Sequence, residues 1–232
     1  MANKEFNPEL KQFSIVLVGD FNPAMFSPQW FGKNNIIPVE DVEFALSEKS
    51  SPIISSAITI FRTNQLSVKI DTKRFQVVAT KEPLIVMKDF ILKTFENLSN
   101  YTITAYGFNY AAHYAVESFQ EFHKIGDLLA PKSYWKKLLG DDVSGDDRLG
   151  GLATIQLQEP KKDADGIISI ILQSSGLVKP GFYMSCNDHN NLKEDDATAE
   201  VLLERINKEF ENSFNFMRDL QLSVLNEVSN GE

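Results

Sequence analysis

Between Tyr101 and Val116 the chain alternates bulky and small residues with a period of two. Tyr106, Phe108, Tyr110 and Tyr114 fall on one side, and Ala105, Gly107, Asn109, Ala111, His113 and Ala115 on the other. Successive side chains of a strand point to opposite faces, so this spacing predicts one long central strand. Its bulky face has to be packed into a layer, while its small face admits a close neighbour.

The rest of the chain supplies partners for such a strand. Phe13 to Gly19 (FSIVLVG) is a short β-branched run punctuated by Asn22-Pro23. Ala24 to Gly32, with Met25, Phe26, Trp30 and Phe31 around Pro28, reads as a short helix or an apolar loop folded over the sheet. Asp41–Leu46, Ile53–Arg62, Gln65–Asp71 and Phe75–Lys81 read as successive strands joined by short polar turns, for which antiparallel pairing is the economical connection. Ala153–Gln158 and Ile167–Gln173 flank a hairpin loop at 161–166, and Val178–Asn187 supplies a further strand.

Helical spacing appears in three places. Pro83 opens a helix over 83–98 in which Leu84, Met87, Ile91, Phe95 and Leu98 recur every three or four residues. Glu117 to Leu139 reads as two short helices broken at Gly126 and Pro131. A long C-terminal helix runs from about Ala197 to Val228 along Leu203, Ile206, Phe210, Met217, Leu220 and Val224, with Asp195, Asp196 and Glu200 near its positive end. Phe214, Phe216, Leu222 and Leu225 lie off that stripe and are the expected interaction residues, the helix being covered from a second side by a partner or another subunit. The expected fold is α+β: mainly antiparallel sheet packed by helices, in two β-then-α halves. They span 1–139 and 152–232, with an acidic linker at 140–151, in two domains or one continuous one.

With 232 residues, 43% of them apolar and 17 Phe, the chain has enough apolar surface to bury a core. Its 23 basic and 32 acidic residues leave a net charge of −9 and no basic run, so nucleic acid is not an expected partner. Folding would have to gather Lys132, Lys136, Lys137, Lys161 and Lys162 to create a basic patch. One cysteine, Cys186, permits no intrachain disulfide. The polar start and the interrupted apolar runs give no secretion signal and no membrane span. A cytoplasmic location is expected.

Candidate chemistry is sparse. Cys186, Asp188 and His189 group a thiol, a carboxylate and an imidazole as candidate metal ligands, but tetrahedral zinc needs further ligands at defined spacing. A polar strand-to-helix loop explains them equally well. A dyad of Cys186 with His113 or His123 requires the fold to bring them together. Asp141, Asp142, Asp146 and Asp147 fail the calcium-loop register in both alignments, which leaves a solvated acidic loop. The chain carries no GxxxxGK[ST], GxSxG or HExxH string. Asn109 and His113 on the small face of the central strand, together with Asp20, are the candidate catalytic residues for a pocket. No cofactor is expected.

Two resemblances accompany these readings. The string LVGDFN, Leu17 to Asn22, resembles the strand-end motif of the endonuclease/exonuclease/phosphatase superfamily, which implies that Asp20 and Asn22 orient a phosphate beside a divalent metal. That family places a metal-binding Glu and a catalytic His in a preceding half-domain, and nineteen residues before Asp20 leave no room for one, so a strand-terminating turn is the expected role. The order of features over 53–228 resembles a sporadically distributed family of uncharacterised prokaryotic proteins of about 250 residues. It does so through QLSVKID and FQVVATKEP followed by KDFILKTFENL, through ITAYGFNYAAHY, and through ERINKEFENSFNFMRDL. That resemblance carries no activity and no site residue; its scattered distribution implies a place in a phage-defence or toxin-regulation locus.

The expected function is a non-catalytic interaction module that forms homo-oligomers or a complex with another protein. The alternative is an enzyme of unrecognised type with a pocket near the central strand at 101–116.

Overall fold

A computed structural model describes residues 6–79, 81–135, 151–162 and 164–230. The long alternating segment is a strand, β6 (Ile103–Ala115), in the middle of a nine-stranded antiparallel sheet. On one side it pairs with β1 (Pro8–Gly19), with Phe13 opposite Tyr110 and Ile15 opposite Phe108. Beyond β1 come β5 (Arg74–Ala79), β4 (Leu66–Asp71), β3 (Ile58–Arg62) and the two-residue β2 (Ile53–Ile54). On its other side lie β9 (Gly181–Asn191), β8 (Gly166–Ser174) and the edge strand β7 (Thr154–Pro160). Strands from 8–115 and from 154–191 therefore share one sheet.

Among the described residues five α-helices gather on the bulky face of β6. Phe31 of α1 (Pro28–Lys33) packs on Phe61, and Phe90 of α3 (Ile85–Glu96) packs on Phe31 and Phe75. Phe122 of α4 (Phe119–Leu129) stacks on Phe182 with 4.4 Å between ring centroids. The C-terminal helix α5 (Ala199–Asn230) lies over β6 and β9, setting Phe210 and Phe214 edge-on to Phe108. Such edge-to-face contacts suit the ring quadrupoles. Buried Gln221 ties α5 to β6, accepting from the Tyr114 hydroxyl at 3.1 Å and donating to the Tyr110 carbonyl at 3.2 Å.

The fold is α+β, as the sequence predicts, with differences of detail. Residues Ile53–Arg62 are not one strand but the antiparallel pair β2 and β3. Residues Asp41–Leu46 are not a strand but part of α2 (Val39–Leu46), which follows Pro38 and has Glu40 and Asp41 in its first turn. The helix α4 runs through Gly126 without a break, and one turn of 3₁₀ helix at Lys132–Trp135 follows it. The last strand continues four residues past Asn187, so Cys186, Asp188 and His189 lie in β9 and not in a loop. The acidic segment with Asp141, Asp142, Asp146 and Asp147 lies outside the described residues. Among those described, no helix is long and apolar enough to cross a membrane.

Candidate functional site

Among the described residues the helix layer ends before the sheet does. Cross-strand partners share a face, and one row on the helix side runs Phe13, Tyr110, Cys186, Ile170, Leu157. Exposure along that row is 5%, 1% and 1% under α5, then rises through half-buried Ile170 to 62% at Leu157. On this face of the β7–β8 hairpin Ile155, Ile168 and Ile170 form a half-buried apolar shelf at the edge of the core, and Leu157 extends it into the open. Phe216 of α5, 47% exposed, stands at its inner margin beside Ile168.

Below Phe216 is an open cleft of about 420 Å³ between α5 and the β8–β9 end, and its floor is a buried polar network. In β9, Phe182, Met184 and Cys186 face the helices, so alternation carries Asp188 and Asn190 to the same apolar side. A charge taken there needs partners. Asp188 has them: Lys161 Nζ lies 2.6 Å from its Oδ1, and Ser213 Oγ of α5 donates to its Oδ2 at 2.6 Å. Lys161 also donates to Asn190 Oδ1 at 2.6 Å. Alongside, the Tyr106 hydroxyl donates to Glu209 Oε2 at 2.6 Å, and burial followed by that carboxylate pushes the phenol pKa up. Arg205 lies 3.6 Å from Glu209. These groups are spent on one another, tying hairpin, central strands and α5 together.

The interaction residues expected on α5 are corrected by this packing. Phe214 and Leu225 are buried in their own chain's core, Phe214 against Phe13 and Phe108, so neither is available to a partner. Leu222 is half-buried against the same core, and Phe216 alone of the four is exposed.

The candidate metal ligands are separated by the pleat. Cys186 and Asp188 face the helices, whereas His189 faces the other side and lies 3.0 Å from Asn191 Oδ1. Among the described residues no group of three or more His, Cys, Asp and Glu is placed to hold a metal. Burial, then the charge of Asp188, pushes the Cys186 thiol up to about 12, so it carries no nucleophilic thiolate near neutrality. His113 is on the opposite face of the sheet from Cys186. His123 is on α4 beside Phe122, whose stacking partner Phe182 is four residues along β9 from Cys186, a separation of about 13 Å.

Nor do Asp20, Asn109 and His113 converge. Asp20 follows the C-terminal end of β1 and is ion-paired with Lys73. His113 pairs with Leu10, near the strand's other end, about 30 Å away. Asn109 accepts from Asn187 Nδ2 at 2.6 Å, and its own buried Nδ2 has no partner among the described residues. His113 Nδ1 lies 2.8 Å from the buried hydroxyl of Ser175, which already accepts from the N–H groups of Leu177 and Val178. The hydroxyl proton of Ser175 therefore goes to His113, fixing the Nε2–H tautomer, while both Ser175 lone pairs are engaged by backbone N–H groups.

Lys161, Asn190, Glu209 and Ser213 were not evident as a group from the sequence. Their one signal is parity: a strand whose even positions 182, 184 and 186 are apolar commits 188 to the same side, and a buried aspartate implies a cation. No family model and no curated protein matches the chain.

Proposed function

We propose that this chain is a non-catalytic binding module that takes an extended protein segment, from its own kind or from another chain, as a further strand beside β7. The observation that carries the reading is the edge of the hairpin: β7 is the outermost strand of the sheet, its Leu157 is 62% exposed, and among the described residues no helix lies over it. Exposed edge strands are templates for pairing, and proteins usually blunt them with short length, lysines, bulges or covering loops. The opposite edge is blunted, since β2 has two residues. The strand β7 has seven, TIQLQEP, with no lysine and its only proline at the last position. In strand addition the backbone supplies affinity, while pockets for alternate side chains supply selectivity. Here the shelf from Ile155 to Phe216 would receive them.

The test uses nine-residue extended peptides with apolar residues at alternate positions, added to the protein at concentrations where it is monomeric. Binding that slows hydrogen exchange at the amides of Thr154, Gln156 and Gln158, and is lost in Gln156→Pro, is the expected result. If those amides exchange at the same fast rate with every peptide and at every protein concentration, the reading is wrong.

A further inference from the structure

The ladder between β7 and β8 fixes which backbone groups face outward. Lys161 N–H donates to the Gly166 carbonyl and Ser174 N–H to the Ala153 carbonyl, so residues 153 and 161 belong to hydrogen-bonded pairs. These pairs alternate along an antiparallel ladder, so Ile155, Leu157 and Glu159 also turn their backbone groups toward β8. Thr154, Gln156 and Gln158 turn theirs outward, and among the described residues nothing pairs with them. Their side chains lie on the helix-free face, while Ile155 and Leu157 lie on the shelf.

From this arrangement we infer that the segment taken up by β7 is the β7 of a second copy, running antiparallel about a two-fold axis through Gln156. The inference rests on the reading above and names its partner. About that axis the strand is its own complement. Gln156 meets the partner's Gln156, and Thr154 meets the partner's Gln158, so all three outward N–H groups of each copy reach a carbonyl of the other. On the shelf Ile155 faces the partner's Leu157. No charge opposes a like charge, because Glu159 falls opposite the partner's Ala153. An axis through Leu157 instead would set Glu159 against Ile155 and leave Thr154 facing Pro160, which has no N–H. Among the described strands the pairing also closes: each copy spends its one long edge, leaving only β2 outermost, so the assembly stops at two.

The experiment is sedimentation equilibrium of the whole chain combined with single-cysteine crosslinking. Wild type is expected to shift with concentration from 26.2 kDa toward twice that mass. Leu157→Lys, at a position already exposed in one copy, and Gln156→Pro are each expected to keep the monomer mass throughout, while Ile53→Lys at the other edge dimerises like wild type. Under mild oxidation Gln156→Cys is expected to form a disulfide-linked dimer, since directly opposed residues lie about 5.5 Å apart at Cα, within disulfide reach. Gln158→Cys, about 13 Å from its symmetry mate, stays unlinked. Buried Cys186 does not interfere. A monomer at every concentration with no crosslink through residue 156, or a crosslink through residue 158, overturns the inference. Peptide capture that protects the amides of 154, 156 and 158 in a monomer would leave the binding-module reading standing while the dimer falls.

Discussion

Ser213 on the C-terminal helix and Asp188 on β9 meet at 2.6 Å, with Lys161 of the β7–β8 hairpin on the carboxylate's other oxygen. Three elements distant in sequence therefore converge on one buried charge. Removing one partner of such a pair costs more than the pair contributes, because the survivor stays desolvated. Lys161→Met is expected to destabilise the protein by roughly 3 kcal/mol. Ser213→Ala should cost about 2 kcal/mol, a hydrogen bond to a charged group. The double variant Lys161→Met/Asp188→Leu should lose clearly less than the Lys161→Met and Asp188→Leu losses added. Urea unfolding of wild type, the two single variants and the double variant checks this, and strict additivity would mean that the groups are not coupled.

Cys186 neighbours the same carboxylate, yet behaves as a core residue. With its thiol pushed up to about 12 and its side chain under α5, it should resist iodoacetamide at pH 8 in the folded protein and react after unfolding. Mass spectrometry of labelled native protein is the measurement. Modification within minutes would show that the α5–β9 contact opens far more readily than its packing implies.

What the sequence makes legible is what local period controls. The alternation of 105–115 survives translation into structure because β6 is flanked on both sides by strands and packed under helices on its bulky face, while Asn109, Ala111 and His113 on the other face are half-buried. The alternation of Val42, Phe44 and Leu46 misleads because Pro38 and the acids at 40 and 41 set a helix start, and the buried position is Ala45. In β9 the polar run from Asn187 to Asn191 reads as loop, but the face away from the helices tolerates Asn187 and His189, and Lys161 and Ser213 accommodate Asp188. Those partners lie 27 and 25 residues away, beyond any local pattern. The surplus apolar residues on α5 suggest a partner; for Phe214 and Leu225 that cover is the protein's own core. The exposure of Leu157 at the sheet's edge depends on where α5 stops covering the sheet, which no residue spacing encodes.

Gly32 and Val42 explain how α1 and α2 dock. A Cβ at Gly32 would lie 2.5 Å from Val42 Cγ2, and a β-branched side chain has little freedom to retreat. Gly32→Ala is expected to cost about 1–3 kcal/mol by overpacking, and Val42→Ala in the same chain should recover much of it. Thermal melts of the single and double variants decide the point. A double variant as unstable as the two losses added would show that the helices do not meet through this contact.

His113 gives the protein a pH dependence of known sign. Burial holds its pKa below the usual imidazole value, and its Nδ1 is occupied by the Ser175 proton. Below the unfolded value near 6.5 the unfolded chain takes up a proton that the folded chain resists, so the unfolded state binds more protons and stability falls as pH falls. Above that value the contribution is fully present. Tyr183, at 4.9 Å between ring centroids, faces the same imidazole, and Glu9, Lys11 and Lys81 share the groove. Melting temperatures at pH 7.5 and 5.5 should therefore differ more for wild type than for His113→Gln. Equal differences would remove His113 as the cause.

Salt offers an independent check on what sits beside β7. Each copy carries a net charge of −9, so bringing two together costs repulsion across the whole surface. The β7 pairing itself opposes no charges, and what holds it is backbone hydrogen bonding and apolar contact, neither of which depends on ionic attraction. Raising ionic strength from 0.01 to 0.15 M shortens the screening length from about 30 to about 8 Å, which removes most of the repulsion and leaves the attraction. The dimer dissociation constant is therefore expected to fall several-fold over that range in sedimentation equilibrium. A partner recognised through basic residues on this acidic chain would show the reverse, weakening as salt rises. Dimerisation that weakens with salt would place the contact at opposite charges elsewhere on the surface, and not at the edge of the sheet.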